Sequence, residues 1–317
     1  HADAVVFGGY SGTASNPVTP LNGIESRLIF PGVDVTYAPG SDLTGTVSDD
    51  LIADAVTVAA AADVAIVVVG TDLSIADEGR DRTDIALPAP QDTLLRAVFD
   101  ANPNTIAVLV TGAPLAIPWA DENLPAILNA WYGGQSAGDA IAAILFGDVS
   151  PSGRLPQTFY RAVDDLPPFD NYDIIGQKRT YMYFEDEVLY PFGHGLSYTT
   201  FAYENLTLST DTAAADDTVT VSVDITNTGA MAGDEVVQVY VTDVEASVPM
   251  PLRMLKGFTR VSLGTGETKQ VAVDLRVADF GYYSEAEKRF VVETGTFDIQ
   301  VGASATDIRA RESLTVQ

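Results

Sequence analysis

Apolar and polar positions in residues 1–160 follow the pattern of strands that alternate with helices. The β-branched runs 64–69 and 105–110 are uninterrupted and each is followed closely by glycine, which predicts strands buried on both faces. Weaker strand patterns lie at 34–38 and 124–132, and helical patterns lie at 51–62, 91–102 and 137–146. Ser48 or Asp49 suits the N-cap of the first helix. This alternation predicts an α/β sandwich domain, a mostly parallel sheet with helices on both faces.

The pattern changes to a period of two after residue 200. Strand patterns of this kind lie at 218–225, 236–241, 271–275, 290–292 and 297–301, with glycine-containing turn signals at 227–229, 264–266 and 294–295. The spacing of these five patterns and their turns predicts about seven strands in all, which describes an antiparallel β-sandwich of the immunoglobulin or fibronectin type III kind over residues 201–317. Within 218–225 we expect the apolar side chains to face the core and the polar ones to face solvent.

Residues 161–200 show neither the helical period nor the period of two that is typical of strands. Prolines interrupt the stretch and aromatic residues accumulate in it, at Tyr181, Tyr183, Phe184, Tyr190 and Phe192. Such an apolar segment is not typical of a free linker. We therefore predict a connector that is docked on the first domain.

Composition excludes several classes of function. The net charge is −27, and such a surface repels nucleic acid and anionic membranes, so neither is an expected partner. Cysteine is absent, which excludes disulfides and thiolate sites. No window reaches the roughly 20 apolar residues of a membrane span, and no secretory signal pattern opens the chain. An extracellular or periplasmic location is favoured, and the charge suits a marine or halophilic source, where salt screens self-repulsion.

A densely charged loop follows the strand pattern 64–69. Between Thr71 and Pro88 it carries seven charged residues, which are Asp72, Asp77, Glu78, Arg80, Asp81, Arg82 and Asp84. Open α/β sheets place their ligand chemistry at the carboxyl ends of the strands, whereas composition alone is equally typical of a solvated loop. The loop is therefore a candidate site whose chemistry depends on its carboxyl groups.

Hydrolysis of a glycosidic bond requires two carboxyl groups, one to protonate the leaving oxygen and one to stabilise or attack the anomeric carbon. A carboxyl group on a loop that substrate can cover suits the acid, because burial disfavours its charged form. Glu78 fits this role, and Asp81 with Arg82 suits an internal ion pair that supports the loop.

A second candidate chemistry is a serine nucleophile. Residues 134–138 read Gly-Gln-Ser-Ala-Gly, a G-x-S-x-G between a predicted strand and a helix, as a nucleophile elbow requires. Ser136, with Asp165 or Asp173 and His194, would complete the order of a hydrolase. The base is the weak part, because His194 lies in a proline-aromatic turn. The alternative is that the glycines serve close packing at a strand–helix junction.

No cofactor or metal is expected. Phosphate-binding fingerprints are absent, and two histidines without cysteine do not make a histidine-based metal site. Calcium binding by carboxylates stays open, although no loop shows the D-x-D-x-D-G spacing.

Several motifs resemble family 3 glycoside hydrolases, in one order along nearly the whole chain. They are Asp77-Glu78-Gly79-Arg80-Asp81-Arg82 with Leu87-Pro88 and Gln91, Ala130 to Gln135, Leu145 to Asp148, Pro151 to Pro156, Arg179 to Tyr181, and Tyr190 to Thr199. The later part of the chain resembles the fibronectin type III-like domain of the same family at Gly229, Gly233, the run 237–240, the run 255–258 and Gly295.

This resemblance implies a retaining β-glycosidase acting on an oligosaccharide or β-glycoside, with Glu78 as the acid/base. It also implies that the nucleophilic aspartate lies in an N-terminal (β/α)8 barrel that this sequence does not contain. The turn-like start at 1–3 implies that the first strand of the α/β sheet belongs to missing chain. The chain alone is then expected to be inactive, and the G-x-S-x-G becomes a structural turn.

The motifs at 164–169 and 179–181 favour a β-xylosidase, with a β-glucosidase close behind. Two other readings stay open, a serine hydrolase using Ser136 and a non-catalytic carbohydrate-binding or scaffold fragment.

Overall fold

The structure is a computed structural model that describes residues 2, 4 and 6–317. The chain divides into two compact units, one of His1–Asp148 with Tyr160–Asp165 and the other of Val149–Phe159 with Leu166–Gln317. The predicted boundaries at residues 160 and 200 remain predictions. Residues 1 and 3 of the turn predicted at 1–3 fall outside the described residues.

The first unit contains the parallel sheet that the sequence predicts. Its strands are β1 (Ala65–Gly70), β2 (Thr105–Val110) and β3 (Ala126–Asn129), in the order β1-β2-β3. Its helices are α1 (Pro20–Arg27), α2 (Asp49–Ala60), α3 (Ala89–Ala101), α4 (Pro118–Asn123) and α5 (Ala137–Leu145). Both strand pairs are parallel, and the α/β fold class is confirmed.

Burial explains why these segments form strands. Ala107 and Val108 in β2 are both fully buried although their side chains point to opposite faces, as expected for a strand covered on both sides. Helix α2 starts after Ser48, whose hydroxyl accepts a hydrogen bond from the Leu51 amide, so the predicted N-cap is Ser48.

Three local differences from the sequence expectations concern short segments. Residues 34–38 form no strand, which corrects the prediction; residues 36–38 and residues 65–68 of β1 line a cavity of about 140 Å³ instead of pairing as neighbouring strands. Helices α1 and α4 were not predicted, although Pro20 and Pro118 stand at their first turns, where the fixed φ of proline favours helix. Both helices are too short to show a clear apolar period.

The second unit contains an antiparallel β-sandwich preceded by the short helix α6 (Thr180–Tyr183). Its strands are β4 (Phe201–Leu208), β5 (Thr212–Ala213), β6 (Thr218–Asn227), β7 (Gly233–Asp243), β8 (Met254–Leu263), β9 (Thr268–Arg276), β10 (Tyr282–Ser284), β11 (Arg289–Val291), β12 (Gly295–Gly302) and β13 (Ile308–Val316). One sheet has the order β4-β6-β9, a second has β5-β13-β12-β7-β8, and β10 pairs with β11. The fibronectin type III-like sandwich is therefore confirmed.

The predicted register of the strand at 218–225 is confirmed. Val219, Val221, Val223 and Ile225 are at most 1% exposed, and they lie in the core of the sandwich. The polar residues between them are partly exposed, so the period of two marks the inner and outer faces of β6.

The connector aromatics pack on the sandwich within this second unit. The Tyr181 ring stacks on Phe192 at 4.3 Å between centroids and meets the edge of Tyr240 of β7 at 6.1 Å. Burial raises the pKa of the Tyr181 hydroxyl, which accepts a hydrogen bond from the Leu255 amide. Docking of the connector on the first domain stays a prediction.

A buried ion pair fixes the segment Val149–Phe159 to the sandwich. Arg154 Nη2 lies 2.9 Å from Glu235 Oε1, and the two side chains are only 8% and 5% exposed. Glu235 Oε1 also accepts a hydrogen bond from the Val236 amide, so the carboxylate is not left with a single partner. Removing one partner of such a pair leaves an uncompensated buried charge.

We expect Val221→Ala to lower the free energy of unfolding by roughly 1–3 kcal/mol, because it removes two buried methyl groups and leaves a cavity. Urea unfolding followed by far-ultraviolet circular dichroism measures this change. Ser222→Ala, on the outer face of the same strand, is the control and should stay within about 0.5 kcal/mol of the parent. Equal effects of the two substitutions would contradict the observed register.

Candidate active site

The charged loop begins where β1 ends, at a glycine that no other residue can replace without rearrangement. A Cβ on Gly70 would lie 1.8 Å from the carbonyl oxygen of Val110 in the neighbouring strand. Gly70 also has a φ of +149°, a conformation that side chains rarely adopt. The first residue of the loop is thereby held close against β2.

Gln91 closes the base of this loop from the other end. Its side chain lies in the first turns of α3, is 3% exposed, and donates from Nε2 to the carbonyl oxygens of Gly70 and Leu43, each at 2.8 Å. Its Oε1 accepts a hydrogen bond from the Gly70 amide at 2.6 Å. One buried amide therefore joins the departure point of the loop to the helix at which the loop ends.

Hydroxyl groups and a short bridge hold the loop against the next connection of the sheet. Thr71 Oγ1 lies 3.0 Å from Thr111 Oγ1 and 3.2 Å from the Tyr132 hydroxyl. Near the end of the loop, the Ala116 amide donates to the Ile85 carbonyl oxygen at 2.8 Å. These contacts fix both ends of the loop to segments that follow β2 and β3.

Glu78 occupies the tip of a tight turn within the loop. The Arg80 amide donates to the Asp77 carbonyl oxygen at 3.0 Å, and Gly79 has a φ of +72°, as the third residue of a type II turn requires. Glu78 is exposed, and its carboxylate has no hydrogen-bond or ion-pair partner within the described part of the chain. The turn presents a carboxyl group whose oxygens are available to a ligand.

The turn is tied down through its other side chains. Asp77 Oδ1 accepts a hydrogen bond from the Glu78 amide at 2.8 Å. Arg80 Nη1 donates to the carbonyl oxygens of Leu73 at 3.2 Å and Ser74 at 3.1 Å. The Asp77 and Arg80 side chains therefore form hydrogen bonds with backbone groups of the loop, while the Glu78 side chain forms none.

The expected ion pair between Asp81 and Arg82 does not form, which corrects the sequence prediction. Arg82 Nη1 instead donates to the carbonyl oxygen of Pro114 at 3.0 Å, and Asp81 is exposed. Burial lowers the pKa of the Arg82 guanidinium, while Tyr132 and Asp84 act in the opposite direction. Arg82 still joins the loop to the connection after β2, but through a backbone carbonyl.

Sequence reasoning did not assign a role to Gln91 or to Thr71, although Gln91 belongs to the motif that carried the family resemblance. The contacts of Gln91 are with residues distant in the chain, so its sequence neighbours do not show that its side chain is buried. The one hint in the sequence is that a polar residue stands among the apolar positions of the predicted helix.

Two residues proposed for a serine hydrolase, Asp165 and His194, and the second glycine of the G-x-S-x-G make structural contacts, whereas the Ser136 side chain makes no capping hydrogen bond at the start of α5. A Cβ on Gly138 would lie 2.0 Å from the Thr19 carbonyl oxygen, so this glycine allows α5 to pack closely on the start of α1. The Asp165 carboxylate accepts hydrogen bonds from the amides of Arg161 and Ala162. The His194 ring stacks on Tyr190. Close packing thus explains the second glycine of the motif.

Among the described residues, no group of three or more His, Cys, Asp or Glu side chains is arranged to hold a metal ion. In the same part of the chain, no helix is long and apolar enough to cross a membrane.

The fold and site define an α/β domain with a carboxylate-bearing loop, followed by a fibronectin type III-like domain. The family model described as "Glycosyl hydrolase family 3 C-terminal domain" matches residues 1–198, and "Fibronectin type III-like domain" matches residues 235–305. The first match covers more than half of the sequence. The chain therefore belongs to glycosyl hydrolase family 3, which confirms the resemblance.

Similar proteins are named as glycosidases. A "Beta-xylosidase" of Formosa agariphila is 42% identical over 98% of this chain and 43% of that protein. A "Thermostable beta-glucosidase B" of Acetivibrio thermocellus is 37% identical over 97% of this chain and 43% of that protein. The crystal structure of a Bifidobacterium adolescentis family 3 beta-glucosidase has a TM-score of 0.89 at 35% identity, over 98% of this chain and 47% of the other. This chain thus spans less than half the length of these relatives.

We expect Gln91→Met to destabilise the α/β unit by about 2–4 kcal/mol, because it keeps the side-chain length but leaves the buried amide and carbonyl of Gly70 without partners. Urea unfolding followed by tryptophan fluorescence measures the effect, since both tryptophans, Trp119 and Trp131, lie in this unit. Thr93→Ala, on the exposed side of the same helix, should change stability by less than about 0.5 kcal/mol. A Gln91→Met protein as stable as this control would contradict the assigned role.

Proposed function

We propose that this chain is the C-terminal part of a retaining, exo-acting β-glycosidase and that Glu78 is its general acid/base. A (β/α)8 barrel domain, present as upstream chain or as a separate chain, would complete the active site and supply the nucleophile. The observation that carries the proposal is the exposed, unpartnered carboxyl group of Glu78. It lies at the tip of a tied turn, at the carboxyl edge of a parallel sheet, in a family of glycosyl hydrolases.

A retaining mechanism uses two carboxyl groups with different roles, and on this proposal the loop supplies only the general acid/base. Glu78 would protonate the glycosidic oxygen as the aglycone leaves, while the nucleophile forms a covalent glycosyl-enzyme. The same side chain would then remove a proton from the attacking water. Asp77 is less suited to this role, because one of its oxygens accepts the Glu78 amide. Asp81 and Arg82 are proposed as supporting residues of the loop.

The names of the relatives support a β-xyloside or β-glucoside as substrate. Xylosides and glucosides both carry neutral pyranose rings, and a neutral substrate is not repelled by an acidic protein surface. A choice between the two sugars depends on contacts to the non-reducing residue, and we propose that the barrel provides most of these.

We expect the purified 317-residue chain to hydrolyse no aryl β-glycoside. A retaining site needs two carboxyl groups about 5 Å apart, and on this proposal only one of them belongs to the chain. Release of nitrophenol from β-xyloside and β-glucoside substrates measures this directly. Steady turnover that Glu78→Gln abolishes would show that the chain contains the whole site.

In the protein that includes the barrel, we expect Glu78→Ala to make aglycone release depend on leaving-group pKa. Dinitrophenyl glycosides should still form the glycosyl-enzyme, whereas poor leaving groups should lose about 10²–10⁴-fold or more, because general acid catalysis contributes that much. Deglycosylation should slow as well. Azide needs no general base, so it should restore turnover of activated substrates and yield a β-glycosyl azide of retained configuration.

Asp77→Asn is the matched control for this experiment, since it changes the neighbouring carboxyl group in the same turn. It should reduce the rate to a similar degree for all leaving groups and give no azide product. If Glu78→Ala behaves in that way and Asp77→Asn shows the leaving-group dependence, the acid/base is Asp77.

A further inference from the structure

The α/β unit contains a groove of about 780 Å³ beside the charged loop. The loop lines it through residues 81–84 and 86–88, helix α3 adds Ala89, Asp92 and Arg96, and the rest of the lining includes residues 116–119 and 161–163. We call it the Trp119 groove. Its volume lies within the range of small-molecule sites, roughly 300–1,000 Å³.

One end of the Trp119 groove carries an aromatic side chain with a fixed guanidinium. Arg96 Cζ lies 4.4 Å from the centre of the Trp119 ring, and Phe99 meets the same ring edge-to-face at 5.7 Å. Asp92 holds Arg96 through two hydrogen bonds, of 2.7 Å to Nε and 3.3 Å to Nη2. These side chains are oriented by one another before any ligand arrives, so little entropy is lost when they bind one.

The loop wall adds donors and acceptors. Arg82 is half-buried and makes one hydrogen bond, to Pro114, and its other nitrogens are at least partly accessible to solvent. The carboxylates of Asp81 and Asp84 are exposed on the same wall. The wall therefore offers both kinds of hydrogen-bonding group to a ligand.

The charge of the groove differs from that of the chain. The chain has 44 acidic and 17 basic residues. The groove lining has equal numbers, namely Asp81, Asp84 and Asp92 against Arg82, Arg96 and Arg161. A balanced set of carboxylates and guanidinium groups beside an indole suits a neutral ligand rich in hydroxyl groups. It does not suit an anion, which the surrounding surface repels.

We propose that the Trp119 groove is a carbohydrate-binding site that takes neutral pyranose units of an oligosaccharide, in addition to the position at Glu78. The choice of a sugar as ligand rests on the proposed function. The loop that carries Glu78 also forms one wall of the groove, so an oligosaccharide in the groove contacts the same element as the acid/base. The site therefore favours longer oligosaccharides over aryl glycosides.

Binding to the 317-residue chain itself tests the proposal without catalysis. The chain has two tryptophans, so in a Trp131→Phe background Trp119 is the only indole and its fluorescence reports on the groove. Xylotetraose and cellotetraose are the neutral probes, and tetragalacturonate is the anionic control. We expect at least one neutral probe to give a saturable change in emission, with the same dissociation constant by calorimetry, and the anion to give none.

Two variants in the groove and one outside it locate the binding. Arg82→Met removes the donors of the loop wall and should weaken binding at least about tenfold, as expected for loss of a hydrogen bond from a charged group. Ala89→Gln extends an exposed side chain from the groove wall at a position where glutamine favours helix, so it should block binding without unfolding the unit. Arg276→Met removes a side chain that is 71% exposed on the sandwich and should bind as the parent does.

The proposal is overturned if neither neutral probe gives a signal by fluorescence or calorimetry, if the anion binds instead, or if Ala89→Gln binds as tightly as Arg276→Met. Glu78→Gln separates this outcome from the fate of the proposed function, because it should leave the groove titration unchanged. Groove binding with Glu78 shown not to be the acid/base would contradict the proposed function alone.

Discussion

The buried amide of Gln91 is the contact on which the geometry of the candidate site depends. The loop from Thr71 to Pro88 leaves the sheet at Gly70 and ends at the helix that carries Gln91. Closing a loop of this length costs conformational entropy, and a side chain that bonds both the amide and the carbonyl of Gly70 fixes the two ends together. A neutral amide suits this position because it offers donors and an acceptor from separate atoms and brings no charge into the interior.

In the irregular segments of this acidic chain, several arginine side chains donate hydrogen bonds to backbone carbonyl oxygens and not to carboxylates. Arg80 donates to carbonyls of Leu73 and Ser74, Arg82 to Pro114, Arg179 to Pro168 and Asn171, and Arg253 to Ala305. Backbone carbonyls outside helices and sheets need donors when they are partly buried. A guanidinium with five N–H groups satisfies them and keeps its charge. These arginine side chains therefore stabilise loops whose backbone carbonyls are not paired within helices or sheets.

The tied turn separates two tasks within one loop. Asp77 and Arg80 hold the turn, and the Glu78 side chain is left without a structural partner. A carboxyl group with no internal partner contributes little to stability, which is typical of a residue kept for contact with a ligand. On the proposed function, the loop presents its acid at one point and the Trp119 groove at another. Movement of the loop would then affect both.

Periodicity and motif spacing by themselves determined the fold class, the two kinds of domain, the buried strands β1 and β2 and the inner face of β6. Burial on both faces, or on one, leaves a direct trace in the order of apolar residues. The family motifs likewise identified the loop and Glu78 as the candidate site. Only the tertiary structure decided that Gln91 closes the loop, that Arg82 bonds Pro114 and not Asp81, and that residues 34–38 form no strand. Each of these depends on which groups lie opposite one another in space, and a hydrogen-bond partner distant in the chain leaves no local period.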